Sequence, residues 1–192
     1  MKDMALCREI RPGIMWVGAL DCDRRLFDAL IPLPRGTSYN SYLIRGEEKT
    51  ALIDAVDESK IEMLMDSLRS LSVERLDYII VQHAEQDHSG GLKRLLEQYP
   101  KAIVLGSARS LDLLAEFGLI EGGTGQEAKD GDIIPLGGTS LQFISAPWVH
   151  WPDPIFTYIP EERVLLTCDF LGSPLAPRDL SASDEPQLYS LA

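Results

Sequence analysis

The stretch VQHAEQDHSGG, residues 81–91, concentrates side chains of the kind that bind metal ions. His83, Glu85, Asp87 and His88 lie within six positions, and the whole chain has three histidines. The stretch follows a short apolar run of the kind that forms a buried strand. Since alternate residues of an extended segment share one side, the spacing predicts that His83, Glu85 and Asp87 point into one cavity. We expect His88 to join them as the chain turns.

Gly90 and Gly91 end this stretch and lead into GLKRLLEQY, which reads as a helix. Glycine adopts backbone angles that other residues avoid. We therefore expect the two glycines to supply unusual angles in the turn before the helix.

Two further candidates follow in order along the chain. His150 lies in a turn between predicted strands, flanked by Trp148 and Trp151. Asp169 comes directly after the apolar run RVLLTC, residues 163–168. A carboxylate at a strand end can bridge two metals with its two oxygens. Either residue alone would more often be a capped or solvated side chain, but the whole set indicates a dinuclear site. We expect the two tryptophans to keep water out of it.

The identity of the metal depends most on Glu85. A site built only from imidazoles suits zinc, whereas a carboxylate in place of an imidazole makes the site harder and more anionic. This shift favours iron or manganese and leaves zinc as an alternative.

The rest of the sequence alternates between predicted strands and helices. An amphipathic helix is predicted from the helical spacing of its apolar residues, Ile61, Leu64, Met65, Leu68 and Leu71, with Asp57 or Ser59 as its cap. Another is predicted between Ser107 as N-cap and Gly118. The strands are predicted at residues 14–20, 37–46, 50–56, 76–82, 101–106, 132–138, 141–146, 154–160 and 163–168. A last helix is expected to start near Tyr189. The order indicates helices packed on a mixed sheet system in one domain, residues 1–192.

Composition excludes several classes of partner. The net charge is −12, which repels phosphate backbones and anionic lipid, so we expect neither nucleic acid nor membrane as a partner. No apolar run reaches membrane-spanning length, and the charged N-terminus lacks a signal-peptide core. Three scattered cysteines without a C-x-x-C pair read as reduced thiols in a cytoplasmic protein.

The motifs together resemble the metallo-β-lactamase-like domain of flavodiiron proteins. H-x-E-x-D-H is followed by His150 and Asp169, and WVGALD, RGTSYNSYLI, ALIDAV, GDIIPLGG and HWPDP fit the same family. The resemblance is strongest over residues 8–175. It implies a fold of the α/β (α+β) class. The expected architecture is an αββα sandwich with the metals at the sheet edge. The resemblance also implies reduction of nitric oxide to nitrous oxide, or of dioxygen to water, at two non-haem iron ions.

Carried over by position, the resemblance also assigns ligands. His83, Glu85 and His150 are similar to the ligands of one iron, and Asp87 and His88 to those of the other. Asp169 resembles the bridging carboxylate.

The sequence departs from the family pattern after this residue. The family's second iron takes a further histidine, whereas no histidine follows His150 in this sequence. We also expect no flavodoxin-like FMN domain within residues 1–192. We therefore expect a C-terminally incomplete sandwich, a second iron site one ligand short, and exposed apolar sheet edges that drive homodimer formation. Electrons would come from FMN in a missing domain or a partner, such as a flavodoxin-like domain or rubredoxin.

Two other functions remain open at this point. A dinuclear zinc hydrolase of the metallo-β-lactamase type would activate water against a thioester, lactone or phosphoester. A non-catalytic fragment that binds metal or oxygen is the other alternative. Glu85 argues against the hydrolase.

Overall fold

The computed structural model of the chain describes residues 7–176, so the helix expected near Tyr189 lies outside the described part. The strands are β1 (Arg8–Arg11), β2 (Ile14–Trp16), β3 (Ala19–Asp21), β4 (Leu26–Phe27), β5 (Ile31–Pro32), β6 (Thr37–Tyr39), β7 (Tyr42–Arg45), β8 (Thr50–Ile53), β9 (Tyr78–Ile80), β10 (Ile103–Gly106), β11 (Gln126–Glu127), β12 (Ile133–Pro135), β13 (Ser140–Ser145), β14 (Ile155–Ile159) and β15 (Val164–Leu166). The helices are α1 (Ile61–Ser70), α2 (Gln86–Ser89), α3 (Leu92–Gln98) and α4 (Ala108–Glu116), and a 3₁₀ turn (Glu58–Lys60) precedes α1.

Two sheets make up most of the fold. The larger one has the order β1-β2-β7-β8-β9-β10-β11, and its strands are parallel from β8 to β11. The smaller one has the order β12-β13-β14-β15 and is antiparallel throughout. Two short ribbons, β3-β6 and β4-β5, lie beside them.

Three of the described helices, α1, α3 and α4, form where the sequence predicts them, whereas α2 was not predicted. Ile61, Leu64 and Leu68 are buried on one face of α1. Asp57 caps the 3₁₀ turn that leads into α1, since its carboxylate accepts a hydrogen bond from the Ser59 N–H at 2.9 Å. Ser107 caps α4 as predicted, accepting from the Ser110 N–H at 3.0 Å.

Two hydrophobic cores fix the order of the layers. One core joins the larger sheet to the helices, with Leu52 and Ile79 of the sheet packed in the same cluster as Leu64 of α1. The other fills the space between the sheets, where Ile53 and Phe143 are fully buried. The described residues therefore form helix, sheet and sheet layers in that order, which are the first three layers of the expected αββα sandwich.

The predicted strands at residues 14–20 and 37–46 are each two strands in the structure. β2 and β7 pair in the larger sheet, whereas β3 and β6 pair in a separate ribbon. The chain changes direction at Gly18, where a Cβ would lie 2.1 Å from the carbonyl oxygen of Tyr39. That close approach needs glycine. The alternation of apolar and polar residues does not indicate this backbone contact.

None of the described helices is long and apolar enough to cross a membrane. All three cysteines, Cys7, Cys22 and Cys168, are free thiols, as expected.

Candidate metal centre

The six candidate side chains meet at one edge of the sandwich. His83 and Glu85 follow β9, His88 lies on α2, His150 lies between β13 and β14, and Asp169 follows β15. Because β8, β9 and β10 are parallel, the segments after them leave the larger sheet at the same edge. The smaller sheet supplies the other two residues at that edge, because His150 lies in the β13-β14 connection and Asp169 follows β15.

The first group of possible ligands contains His83, Glu85, His150 and Asp169, whose ligand atoms all lie within 4.8 Å of one another. The Oε2 atom of Glu85 is 3.1 Å from His83 Nε2 and 3.4 Å from His150 Nε2. The Oδ2 atom of Asp169 is 3.8 Å from His83 Nε2 and 3.6 Å from His150 Nε2. Two imidazole nitrogens and two carboxylate oxygens thus face a common point.

The second group contains Asp87, His88 and Asp169, again within 4.8 Å. His88 Nε2 is 3.0 Å from Oδ1 of Asp169 and 3.7 Å from Oδ2 of Asp87. Asp169 therefore turns one carboxylate oxygen toward each group. That is the geometry a carboxylate needs to link two neighbouring cations.

The route by which Asp87 reaches the site differs from the prediction. The extended backbone ends at Glu85, because α2 begins at Gln86, so alternation along a strand does not direct the Asp87 side chain. The glycine prediction was also wrong, since Gly90 and Gly91 have ordinary helical angles, with φ of −56° and −79°. Their role is close packing: a Cβ at Gly90 would lie 2.7 Å from the Glu58 nitrogen, and one at Gly91 would lie 2.5 Å from Ile61 Cδ1.

The electrostatics of the cluster balance carboxylates against imidazoles. Burial alone would lower the pKa of His83, but its hydrogen bonds with Asp153 and Glu85 raise it to about 9. Burial raises the pKa of Asp87 to about 6, and the nearby carboxylates of Asp169 and Glu85 push it the same way. Burial would also raise the pKa of Asp169, but His88 and the other two histidines lower it to about 2.

Asp153 orients His83 from behind and was missed from the sequence. Its carboxylate is fully buried, accepts the Nδ1–H of His83 at 3.2 Å and accepts the Ala84 N–H at 2.7 Å. With a cation bound, Nδ1 would keep its proton, and Nε2, which faces Glu85 and Asp169, would be free to coordinate the cation. A carboxylate three residues after a candidate histidine, in HWPDP, was the only sequence signal for it.

The two tryptophans have different positions. Trp151 packs its ring against His83, with the centroids 5.1 Å apart, and covers the first group. Trp148 is 75% exposed, so it does not shield the site as predicted. A cavity of about 180 Å³ reaches Glu85 and Asp87 and is lined in part by aromatic side chains that include Trp151 and Phe27.

Comparison with known proteins agrees with this arrangement. Residues 37–188 match the family described as ODP family beta lactamase. The nitric oxide reductase of Moorella thermoacetica is 42% identical over 170 residues, which are 87% of this chain and 42% of that protein. The flavodiiron protein of Giardia intestinalis superposes with a TM-score of 0.88 at 29% identity, over 97% of this chain and 45% of that one. The rubredoxin oxygen:oxidoreductase of Desulfovibrio gigas gives the same TM-score and identity, over 97% and 46%.

The chain thus spans less than half the length of these relatives. The match nevertheless covers most of this chain, in sequence and in fold. The chain belongs to the ODP family of β-lactamase-like domains and is of the flavodiiron type.

Proposed function

We propose that this chain holds two non-haem iron ions and forms the reducing centre of a nitric oxide or dioxygen reductase that receives electrons from a flavin. His83, Glu85 and His150 hold the first iron, and Asp87 and His88 hold the second. Asp169 bridges them. The names of the relatives support this class of activity, since one is a nitric oxide reductase and another an oxygen:oxidoreductase.

The observation that carries the proposal is the position of Asp169. Its Oδ2 faces His83 and His150, whereas its Oδ1 lies 3.0 Å from His88 Nε2. A single carboxylate between two groups of possible ligands suits two cations about 3.5–4 Å apart.

The side chains fit cations in a second respect. Among residues 7–176, Asp87 Oδ1 is buried without a hydrogen-bond partner, which costs free energy unless a cation or water occupies the space beside it. Three carboxylates, those of Glu85, Asp87 and Asp169, converge there. Oxygen ligands of this kind favour iron over zinc relative to a site of imidazoles alone.

When bound, two ferrous ions would supply two electrons, which with two protons reduce two nitric oxide molecules to nitrous oxide and water. Reduction of dioxygen to two waters needs four electrons and four protons, so two further electrons would come from the flavin donor. The protein residues determine what reaches the two ions. Trp151 covers His83 and, with Phe27, lines the cavity that leads to Glu85 and Asp87. A cavity of about 180 Å³ admits molecules of a few atoms, such as nitric oxide or dioxygen. The second group offers three protein ligands against four in the first, so the second iron binds more weakly.

Asp153→Asn is expected to weaken the first iron site by about 10–100-fold, as loss of an orienting carboxylate does elsewhere. The asparagine amide can donate to His83 Nδ1, which would leave the proton on Nε2, where the metal must bind. Metal titration of the variant measures the effect, and Asp112→Asn on the exposed face of α4 is the matched control. Equal affinities in the two variants would contradict a role for Asp153 in orienting His83.

The activity is tested with protein loaded anaerobically with ferrous iron and supplied with a chemically reduced flavodoxin. Nitric oxide or dioxygen should then be consumed at a rate that depends on the donor, while protein without the donor completes no more than one turnover. Continued turnover without any flavin would contradict the proposal.

The same protein loaded with zinc distinguishes the hydrolase. We expect no hydrolysis of a thioester, because the proposed centre works by electron transfer. Thioester hydrolysis by the zinc form, with no reduction of either gas by the iron form, would establish the hydrolase instead.

A further inference from the structure

We propose that Arg24 is a positioning residue that holds Phe27 across the open side of the cavity leading to Glu85. By fixing Phe27 there, Arg24 limits the size of the molecules that reach the metal centre. The inference rests on the proposed function, because it takes this cavity as the path of a small substrate.

The cavity has a buried end and an open side. Glu85 lies at the buried end and is 8% exposed. Asp28 and Phe117 are exposed lining residues, so they mark the side that faces solvent. Phe27 directly precedes Asp28 and is half-buried. A molecule that enters from solvent therefore passes the ribbon β4-β5, which carries Phe27.

The ribbon β4-β5 buries little apolar surface of its own. Its two strands pair with each other in a separate two-stranded sheet. Leu26 and Ile31 are 46% and 47% exposed, and Leu30 is 79% exposed. Leu33 anchors the base of the ribbon, since it is buried and its N–H donates to the Arg25 carbonyl oxygen. Hydrophobic burial therefore fixes the base and leaves Phe27 to be held by other contacts.

Arg24 supplies those contacts. Its Nη1 donates to Tyr39 Oη at 2.8 Å and to Asp57 Oδ2 at 3.1 Å. The guanidinium carbon lies over the Phe27 ring, 5.1 Å from the centroid, at the distance of a cation–π contact. A planar guanidinium can donate from its edge while it stacks through its face. One side chain thus ties Phe27 to two acceptors outside the ribbon.

The surroundings of Arg24 fix it and neutralise it. The Tyr39 hydroxyl donates to Asp21 Oδ2 at 3.2 Å, and Lys60 Nζ lies 3.3 Å from Asp21 Oδ1. The Arg24 N–H also donates to Asp21 Oδ1, at 3.2 Å. The carboxylates of Asp21 and Asp57 balance the charges of Arg24 and Lys60. With its charge balanced in this way, Arg24 acts by positioning Phe27 rather than by attracting an anion.

Fluorescence of Trp151 tests the proposal, because its indole lines the same cavity. Trp148→Phe removes the exposed tryptophan and serves as the parent chain, in which Trp16 is buried. Without added metal, Arg24→Ala in this parent should raise quenching of Trp151 by acrylamide at least about twofold, as release of a weakly packed segment allows. Quenching by dioxygen should stay the same, because dioxygen already fits the cavity.

A second variant and a control accompany Arg24→Ala. Asp57→Asn keeps an oxygen to accept the Ser59 N–H but removes the charged acceptor of Arg24, so it should raise acrylamide quenching as well. It decides the question if Arg24→Ala does not fold. Arg25→Ala is the matched control, since the Arg25 side chain bonds only to nearby carbonyl oxygens among the contacts described for it, and it should change nothing.

Acrylamide quenching that stays at the parent value in Arg24→Ala and Asp57→Asn, or that rises equally in Arg25→Ala, would overturn the proposal. So would an equal rise in quenching by dioxygen. In a chain that also carries Trp151→Phe, the buried Trp16 reports alone, and an increase there as large as that of Trp151 would show general loosening instead. These measurements involve no iron and no turnover, so their failure leaves the proposed reductase standing, and failure of gas reduction leaves their result standing.

Discussion

Asp169→Ala is expected to abolish tight binding of both iron ions, with at least about a 100-fold loss of affinity at each site. Its two oxygens face the two groups of possible ligands, so one substitution removes an oxygen from both. The side chain is 36% exposed, and its removal should leave the fold intact. Calorimetric titration with ferrous iron under anaerobic conditions measures the change.

Asp112→Ala removes the same group from an exposed position and is the control. Glu85→Ala gives a useful contrast, because Glu85 belongs only to the first group and its loss should spare the second. If Asp169→Ala weakened one site and left the other at its original affinity, the bridging role would be wrong.

Phe143→Ala is expected to lower the free energy of unfolding by about 3–5 kcal/mol. Phe143 lies on β13 with its ring fully buried between the two sheets, in the same cluster as Ile44 and Ile155. The truncation leaves a cavity at the contact that holds the β13-β14 hairpin, and with it His150, against the larger sheet. Urea unfolding of the metal-free protein measures the loss.

Phe156→Ala is the matched control on the neighbouring strand. Phe156 points away from the larger sheet and stacks on Phe170, with the ring centroids 5.8 Å apart. Its loss should cost about 1 kcal/mol, the range of an aromatic pair. Similar losses for the two variants would contradict the packing of the sheets through Phe143.

The sequence predicts those features that depend on local spacing. The helical recurrence of Ile61, Leu64 and Leu68 predicts α1, and the apolar run before His83 predicts the buried strand β9. The order of metal-type residues predicts a dinuclear site, and the structure brings all six candidates together in two overlapping groups.

Features that depend on contacts between distant segments were beyond sequence reasoning. Asp153 and His83 are 70 positions apart, and Cys168 and His88 are 80 apart, so no local pattern relates them. The direction of Asp87 was also inaccessible, because a short helix after Glu85 replaces the extended chain that alternation assumes. The splitting of residues 14–20 into two strands follows from a backbone contact at Gly18.

The proposed function requires that this chain hold a pair of iron ions linked by Asp169. Mössbauer spectroscopy of protein loaded with ⁵⁷Fe and then oxidised tests it most directly. We expect a quadrupole doublet at low temperature in a weak field, because two ferric ions coupled through a bridge have a diamagnetic ground state. In Asp169→Ala this doublet should be lost. A magnetically split spectrum typical of isolated ferric ions, at full iron loading, would contradict it.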